Sequence, residues 1–363
     1  DITSNACIDQ RDFVDNMEKQ IKCWATQSQG SKIEPWEYTV PTTLDVGAVE
    51  VKISHCGICH SDLHQINDSW GVATFPLVPG HEIVGEVTSV GDTVKEFTIG
   101  DIVGIGVQRS CCGDCSQCNQ SREHTCPKIT KTYAGPNKDK GGFAQHIRYP
   151  ANWVFKIPVG MKREHAAPLL CAGITTYSPL KRWTSNRATK PIVGVIGIGG
   201  LGHIALQFAA HFEHVAEVVA ISTSDNKKES ALGFGADRFI NSNNESEMKA
   251  AAASIDVLLN TVSGVQDLDS YLSLLKTGGV LVCVGLPDKS KKVGVFMQSI
   301  VAREQMIVGS YLGPKHDYNE MLEFAARHHV EPVVKLFDVS VCFSLSVSLF
   351  DECMCVCVCV CVC

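Results

Sequence analysis

The chain has 363 residues, is 45% hydrophobic and 20% charged, and carries a formal net charge of −7. Its length allows two domains with sizeable cores, and its composition is that of a globular protein. The acidic balance argues against nucleic-acid binding, and no apolar run is long enough to span a bilayer. A small molecule is therefore the expected partner, with no nucleic acid and no membrane.

The first residues and the cysteines bear on the cellular compartment. Residues 1–20 are polar and acidic, lack the apolar core of a secretory signal and predict an N-terminal extension. The spacing of the 18 cysteines suits metal ligands better than disulfides. Thiolates that hold zinc need a reducing compartment, so we expect a cytoplasmic protein.

The type of secondary structure that the sequence predicts changes once along the middle of the chain. From about Ile21 to Tyr149, short segments rich in β-branched residues, such as VEVKISHCG and HEIVGEVTSVGDTV, predict a β-rich domain. Between about Lys190 and Gly309, strands alternate with helices such as HIALQFAAHF and LDSYLSLLK, which predicts an α/β domain with a doubly wound parallel sheet. The expected strands are PIVGVIG, EVVAIST, ASIDVLLNTV, GGVLVCVGLP and QMIVGSYLG. Residues 311–337 begin with an amphipathic helix, YNEMLEFAARHH.

The last residues have an unusual composition. From Cys353 to Cys363 the sequence is CMCVCVCVCVC, and alternating Cys and Val is what a TG dinucleotide repeat encodes. As a strand, this segment would be β-prone and low in charge, which makes it an aggregation hazard. We interpret residues 338–363 as an aberrant Cys/Val-rich tail.

A glycine-rich turn marks a cofactor site. It follows one expected strand and precedes a helix, and its sequence is Gly197-Ile-Gly-Gly-Leu-Gly202. Glycines there permit a tight turn and let the backbone approach a pyrophosphate, to which the helix N-terminus presents amide donors. The predicted contacts are Gly197, Gly199, Gly200, Leu201 and Gly202.

The end of the next strand indicates which nicotinamide cofactor binds. NAD sites place a carboxylate there, about 20 residues after the turn, against the ribose 2′-hydroxyl. Glu217 has the right count but precedes the strand, which instead runs into Ser222-Thr223-Ser224-Asp225-Asn226-Lys227. Hydroxyls and an ammonium suit a 2′-phosphate, although Asp225 argues the other way. The sequence favours NADP(H), with Ser222, Thr223, Ser224 and Lys227 as contacts.

Four cysteines in one loop predict a structural zinc site. Cys112, Cys115, Cys118 and Cys126 have the spacing C-x2-C-x2-C-x7-C. Four thiolates make a closed tetrahedral shell, which stiffens a loop that has little core of its own. Cys111 breaks the spacing and is interpreted as a bystander.

Several motifs together resemble one family. Cys56-Gly-Ile-Cys-His-Ser-Asp-Leu-His64, Pro79-Gly-His-Glu-Ile-Val-Gly85 and the four-cysteine loop resemble the zinc-dependent medium-chain alcohol dehydrogenases. The segment AAPLLCAGIT (166–175) and the serine/threonine–lysine loop resemble the cinnamyl alcohol dehydrogenase branch with its broad-range NADPH aldehyde reductases. The resemblance runs from about Lys22 to Phe337. It implies a GroES-like catalytic domain (21–165), an NADP-binding Rossmann domain (166–310), a return of 311–337 to the catalytic domain, and a homodimer.

The resemblance also implies the roles of individual residues. A catalytic zinc, the second of two per chain, would be held by Cys59, His81 and Cys171, with Glu82 beside its open position. Asp62 would orient the ligand histidine. Ser61 and His64 would pass the proton, and His60 would approach the pyrophosphate. Thr175, Thr261 and Gly285 would contact the cofactor, and Cys56 would be a packed thiol.

The implied reaction is the reversible, NADPH-dependent reduction of aldehydes to primary alcohols, of aromatic, cinnamyl or broader type. Three alternatives stay open: an NAD-dependent polyol dehydrogenase, a zinc-free quinone reductase of the same fold, and a defective remnant that binds zinc and NADPH. The last follows from the C-terminus, because the family resemblance fades after Phe337. Loss of packing there would cost several kcal/mol, enough to consume a typical marginal stability.

Overall fold

The computed structural model describes residues 17–133, 140–264, 266–290, 292–339 and 357–361. Most of the predicted N-terminal extension lies outside these residues, but the first strand begins at Glu18, inside the range assigned to it. Most of the Cys/Val tail also lies outside them. None of the helices in the described part of the chain is long and apolar enough to cross a bilayer.

The first domain contains two small sheets and one large sheet. Strand β1 (Glu18–Thr26) pairs antiparallel with β2 (Ile33–Pro41), and β6 (Gln108–Ser110) pairs with β7 (Thr130–Lys131). The large sheet has seven strands, in chain order β3 (Ala48–Ile58), β4 (Glu82–Val90), β5 (Ile102–Ile105), β8 (His146–Pro150), β9 (Val154–Lys156), β16 (Val334–Asp338) and β17 (Cys357–Cys361). From Val51 to Ile53, strand β3 shows the period of two that the sequence predicts, since both of these residues are buried while Lys52 is exposed.

The second domain contains a parallel six-stranded sheet. Its order is β12-β11-β10-β13-β14-β15, with β10 (Ile192–Ile196), β11 (Glu217–Ser222), β12 (Arg238–Asn241), β13 (Ile255–Asn260), β14 (Leu275–Cys283) and β15 (Met306–Gly309). The helices between these strands are α4 (Gly200–His211), α5 (Lys228–Gly233), α6 (Glu245–Ala250), α7 (Leu268–Leu272) and α8 (Met297–Arg303). This order confirms the predicted doubly wound α/β fold.

Two details of this sheet differ from the sequence prediction. The sequence misses β12, because the four residues between Arg238 and Asn241 contain only two apolar side chains and give no visible run. It also extends the helix LDSYLSLLK too far: α7 ends at Leu272, and Leu275 already begins β14. Apolar residues are buried both in the helix (Leu268, Leu272) and at the start of the strand (Leu275). Hydrophobicity alone therefore does not show where the helix ends and the strand begins.

Three consecutive helical segments connect the two domains. They are α2 (Arg163–Pro168), a π-helical turn (Leu169–Gly173) and α3 (Ile174–Thr184), and they share one buried cluster with the Rossmann strands. Helix α9 (Lys315–His328) packs against α3, where the ring of Phe324 lies 5.6 Å from that of Tyr177. Lys181 of α3 also bonds Asp317 of α9 at 3.0 Å. The chain segment after the Rossmann sheet is thereby fixed to the connecting helices.

The C-terminal tail contributes a strand to the large sheet. Strand β17 (Cys357–Cys361) pairs in parallel with β16 and antiparallel with β3, so both of its edges are occupied. The sequence treats this segment as an unpaired, aggregation-prone strand. Its alternating residues with β-branched valines do favour a strand, but pairing on both sides satisfies the backbone groups that would otherwise recruit another chain.

Candidate active site

Three residues from separate segments lie within bonding distance of a common point. Nε2 of His81 lies 3.3 Å from Sγ of Cys171, whose sulfur lies 4.0 Å from Sγ of Cys59. A zinc ion at 2.3 Å from sulfur and 2.0–2.1 Å from nitrogen sets tetrahedral edges of about 3.8 Å and 3.6 Å. The set therefore fits a zinc ion bound by two thiolates and one imidazole.

Local structure explains how each ligand is placed. Cys59 directly follows β3 and is the N-cap of helix α1 (His60–Ile66), so its sulfur accepts a hydrogen bond from the Ser61 amide. His81 directly precedes β4, which pairs with β3. Cys171 lies in the π-helical turn, whose wider hydrogen-bonded loop is frequent at functional sites.

Asp62 fixes the orientation of the histidine ligand. Its Oδ1 lies 3.3 Å from Nδ1 of His81 and accepts a hydrogen bond from the Gly80 amide at 3.0 Å, and its Oδ2 accepts one from the Cys59 amide at 2.9 Å. The carboxylate is fully buried, and His81 is the main group that holds its pKa below the usual value against desolvation. A proton on Nδ1 leaves Nε2 free to bind metal, which is the role the sequence gives Asp62.

Tyr133 completes this arrangement and is not found by the sequence analysis. Its hydroxyl donates to Oδ1 of Asp62, and its ring stacks on His81 with centroids 5.8 Å apart. Burial, and then the charge of Asp62, raises the pKa of the Tyr133 phenol well above its usual value. The phenol therefore stays protonated and keeps donating to the carboxylate.

Glu82 lies beside the three ligands. One of its carboxylate oxygens is within 4.8 Å of the ligand atoms of Cys59, His81 and Cys171. Burial, followed by the charge of Cys59, raises the pKa of its carboxyl group well above the usual value. A side chain at position 57 would collide with Glu82, so Gly57 leaves the space that this carboxyl group occupies.

The residues expected to carry the proton follow Cys59 on helix α1. Ser61 and His64 are three residues apart, a spacing that places two side chains on the same helix face, and both line the cavity described below. The His64 ring stacks on Trp70 at 4.8 Å and meets the edge of His60 at 4.9 Å. Its buried Nε2 has no hydrogen-bond partner within the described residues. Burial, and then His60, lowers its pKa, which favours the neutral ring.

The four-cysteine loop also closes around one point. Its sulfur–sulfur distances are 3.5 Å for Cys112–Cys126, 3.6 Å for Cys115–Cys118, 3.8 Å for Cys115–Cys126 and 4.0 Å for Cys112–Cys118. These distances are close to the edge of about 3.8 Å expected for four thiolates on one zinc ion. With all four positions taken, such a site has a structural role.

The glycine-rich turn has the conformation that its sequence requires. Gly197 has a φ of +85°, and Gly202 packs so closely that a Cβ there would collide with the Gly197 carbonyl oxygen. Thr261, expected to contact the cofactor, has its hydroxyl 2.9 Å from the carbonyl oxygens of Ile196 and Gly197 and so braces the turn. His203 adds a second brace that the sequence does not reveal. Its Nδ1 donates to the Gly199 carbonyl at 2.9 Å, and its Nε2 accepts from the Val333 amide at 3.0 Å.

The end of β11 is arranged as the sequence indicates. Glu217 is the first residue of that strand and forms a 2.8 Å ion pair with Arg238, so it lies away from the strand's carboxyl end. Ser222 is the last residue of the strand, and Ser224 caps the following turn by accepting the Asn226 amide. Within the described residues no carboxylate forms an ion pair with Lys227.

A cavity of about 510 Å³ lies between the two domains and joins these parts. Its walls include the three zinc ligands, both predicted proton carriers, Thr175, Leu201 and Gly285. They also include residues that the sequence analysis did not single out for this site: Trp70, Arg122, His124, Lys131, Tyr133, Arg182 and Tyr311. The cavity thus brings the three predicted ligands of the catalytic zinc together with Thr175, Leu201 and Gly285 of the predicted cofactor contacts, whereas the remaining predicted cofactor contacts are not among its lining residues.

Comparisons with known proteins identify this arrangement. The chain matches the families described as "Alcohol dehydrogenase GroES-like domain" over residues 45–159 and "Zinc-binding dehydrogenase" over residues 200–327. A probable mannitol dehydrogenase of Medicago sativa is 41% identical over 317 residues, which are 86% of this chain and 87% of that protein. A cinnamyl alcohol dehydrogenase of Sorghum bicolor has a TM-score of 0.87 at 34% identity, covering 94% of this chain and 97% of that one.

The chain belongs to the zinc-dependent medium-chain alcohol dehydrogenase family, in its cinnamyl alcohol dehydrogenase branch. A cinnamyl alcohol dehydrogenase of Helicobacter pylori, solved in complex with NADP(H), shares the fold with a TM-score of 0.85 at 31% identity. The alignment covers 95% of this chain and 98% of that one. The predicted family, the fold of a GroES-like and a Rossmann domain, and the class of oxidoreductase are thereby confirmed.

Three of the cavity residues that the sequence did not reveal lie in or near the zinc loop. Arg122 and His124 lie within the zinc loop, and Lys131 follows its last cysteine by five residues. The prediction for this loop rests on its cysteines alone. The signal available there was the cluster of cationic residues among and after those cysteines.

Proposed function

We propose that the protein catalyses the reversible reduction of aldehydes to primary alcohols with NADPH, in the sense RCHO + NADPH + H⁺ → RCH₂OH + NADP⁺. The observation that carries this proposal is the cavity that is lined by Cys59, His81 and Cys171 together with Thr175, Leu201 and Gly285, which we assign to the cofactor. When bound, zinc would polarise the carbonyl oxygen and NADPH would supply the hydride.

The chain's own residues would position the reactants and move the proton. Asp62 and Tyr133 hold His81, while the turn at Gly197 and the hydroxyl of Thr261 shape the cofactor side. Ser61 lines the cavity at the start of helix α1 and gives its proton to the oxygen of the reduced carbonyl. His64 then relays a proton to Ser61: its neutral ring gives a proton from one nitrogen and takes one that comes from solvent at the other.

Two zinc ions per chain are part of this proposal. In both groups of ligands, the distances between ligand atoms are close to those expected around a tetrahedral zinc ion. The cysteines of both groups form no disulfide. Free thiolates at both clusters suit a reducing compartment, so we propose that the protein works in the cytoplasm.

The direct test is the initial rate of NADPH oxidation with benzaldehyde and with cinnamaldehyde on zinc-replete protein, alongside NADH. Turnover that favours NADPH supports the proposal. Equal or faster turnover with NADH would show that the enzyme is NAD-dependent, as a polyol dehydrogenase would be. Folded, zinc-loaded protein without turnover with either cofactor would favour the defective remnant.

Cofactor preference should respond to the last residue of β11. Ser222→Asp places a carboxylate at the carboxyl end of that strand, where it repels a 2′-phosphate and accepts hydrogen bonds from a 2′-hydroxyl. We expect the kcat/KM ratio of NADPH to NADH to fall by about a hundredfold, the effect of losing favourable charged contacts and gaining repulsion. Glu217→Gln is the control, since Glu217 lies at the opposite end of the strand and should leave the ratio unchanged. An unchanged ratio in Ser222→Asp contradicts this assignment.

We also propose a homodimer formed through the edge of the Rossmann sheet. Strand β15 pairs only with β14 among the described strands, and beside it Phe296, Met297 and Val301 are 75%, 62% and 69% exposed. Val301→Glu should convert a dimer into a monomer, measured as molar mass by light scattering after gel filtration. Val159→Glu, at an exposed valine elsewhere, is the matched control. A monomeric parent protein would contradict the proposal.

A further inference from the structure

The walls of the active-site cavity include three cations and, among the described residues, no acidic residue. The three cations are Arg122, Lys131 and Arg182. Arg122 and Lys131 come from the zinc loop and the strand after it, and Arg182 comes from the last turn of α3. Residues distant in the sequence thus place three positive charges around one space.

Within the described residues, these cations have aromatic neighbours but no anionic partner. Within the described residues, none of the three side chains forms an ion pair, and the buried Nε of Arg122 has no hydrogen-bond partner. Lys131 is partly buried, and its closest aromatic neighbour is Tyr311, with Nζ 5.8 Å from the ring centroid. Desolvation lowers the pKa of Lys131, because burial has removed water without supplying an anion.

Two acidic groups lie near these cations without lining the cavity: Glu123, which follows Arg122 in the chain, and Asp317, which is already engaged. Asp317 lines a neighbouring cavity that Arg122 and Arg182 also reach, but it accepts a hydrogen bond from Ser178 at 2.7 Å and one from Lys181 at 3.0 Å. His124, which lines both cavities, has no anionic form and so cannot neutralise the arginines.

We propose that the natural substrate is an aldehyde, or the corresponding alcohol, that carries a carboxylate remote from the reacting carbon, and that Lys131 and Arg122 bind this carboxylate. The inference rests on the proposed function and deepens it by naming the substrate class. The carbonyl group lies at the open metal site, and the carboxylate reaches these cations in the walls of the same cavity. A charge-assisted hydrogen bond to the partly desolvated Lys131 ammonium then selects the acid over its neutral analogue.

The test compares 4-carboxybenzaldehyde with its methyl ester and with benzaldehyde, at saturating NADPH. We expect the parent enzyme to favour the acid over the ester in kcat/KM by about tenfold to a hundredfold, the range for a hydrogen bond to a charged group. Lys131→Met removes the charge at similar length and should abolish most of this preference, whereas Lys131→Arg should retain it. Lys128→Met is the matched control, because Lys128 is exposed and does not line the cavity.

Other outcomes would show which part of the proposal is wrong. If ester and acid react equally well, the proposed function holds and the substrate class is wrong. If Lys131→Met raises the KM for NADPH and leaves the acid preference unchanged, the cation serves the cofactor and the inference is wrong. A readout independent of turnover is benzoate binding, followed through tryptophan fluorescence, since Trp70 lines the cavity. Benzoate binding that Lys131→Met does not weaken overturns the proposal even if no aldehyde is reduced.

Discussion

Replacing His81 with alanine should abolish catalysis and release one of two zinc ions. We expect kcat/KM for aldehyde reduction to fall at least about a thousandfold, because a metal's polarisation of a carbonyl is worth several kcal/mol and each 1.36 kcal/mol is tenfold. The structure gives the physical reason. The His81 imidazole supplies the one nitrogen among the three ligands, and two thiolates alone do not complete the site.

The same substitution leaves Asp62 without its main partner. Asp62 is fully buried, and His81 is the group that contributes most to keeping its carboxyl group ionised. Leaving a buried group without its hydrogen-bond partner costs about 1–3 kcal/mol, and more for a charged group such as this carboxylate. Metal content per chain by mass spectrometry, activity and thermal unfolding should therefore be measured together on the His81→Ala protein.

Cys56→Ala is the matched control for this experiment. Cys56 precedes Cys59 in the same C-x-x-C pair, but its buried thiol lies beside Gly80 and Gly142 rather than among the ligand atoms. We expect this variant to keep both zinc ions and most of its activity, with a modest loss of stability from the small cavity. Full activity in His81→Ala with only the four-cysteine site occupied would show that the zinc mechanism is wrong.

The ligand positions could be predicted from sequence because each lies within a short motif. Cys59, His81 and Cys171 each sit next to residues whose local conformation is fixed, namely an N-cap, a strand start and a helical turn. The glycine-rich turn is similar, since a positive φ at Gly197 and close packing at Gly202 leave few other residue types acceptable.

The residues that surround these motifs could not be predicted in the same way. Tyr133 reaches Asp62 across 71 positions of sequence, and His203 links the cofactor turn to Val333 across 130. Such contacts depend on how the domains pack, which hydrophobic period and motif spacing do not encode. The cations around the cavity are a mixed case: Arg122 and Lys131 lie in and just after the zinc loop, where the sequence shows them, whereas Arg182 comes to the same cavity only in the folded chain.

Removing the last strand should destabilise the catalytic domain. Strand β17 lies between β16 and β3, and its residues 358–361 pair with His55–Ile58, the end of β3 that leads directly into Cys59. A chain ending at residue 356 would leave that edge of β3 unpaired and detach β16. Each lost backbone hydrogen bond contributes about 0.5–1.5 kcal/mol, so the strand as a whole contributes several.

Three variants test the contribution of strand β17: two truncated chains and one substitution. A chain ending at residue 356 should unfold at a temperature lower by about 10 °C, the shift that several kcal/mol produces in domains of this size. It should also lose catalytic zinc more readily, because Cys59 follows the freed strand end. A chain ending at Cys361 keeps β17 and should behave as the parent does. Val360→Pro tests pairing alone, since proline removes a backbone donor and is poorly tolerated inside a sheet.

This result also decides how the unusual C-terminus should be interpreted. The defective-remnant alternative assumes that the sheet position completed by the family's ordinary ending is empty in this chain. In the structure, the Cys/Val segment occupies a place between two strands of that sheet, with every residue from 357 to 361 in register with β16. If the shorter chain unfolds at the same temperature and binds the same zinc, the tail contributes nothing to the fold. If it is destabilised as expected, a segment of repetitive sequence completes the catalytic domain because its alternation alone suffices to form a paired strand.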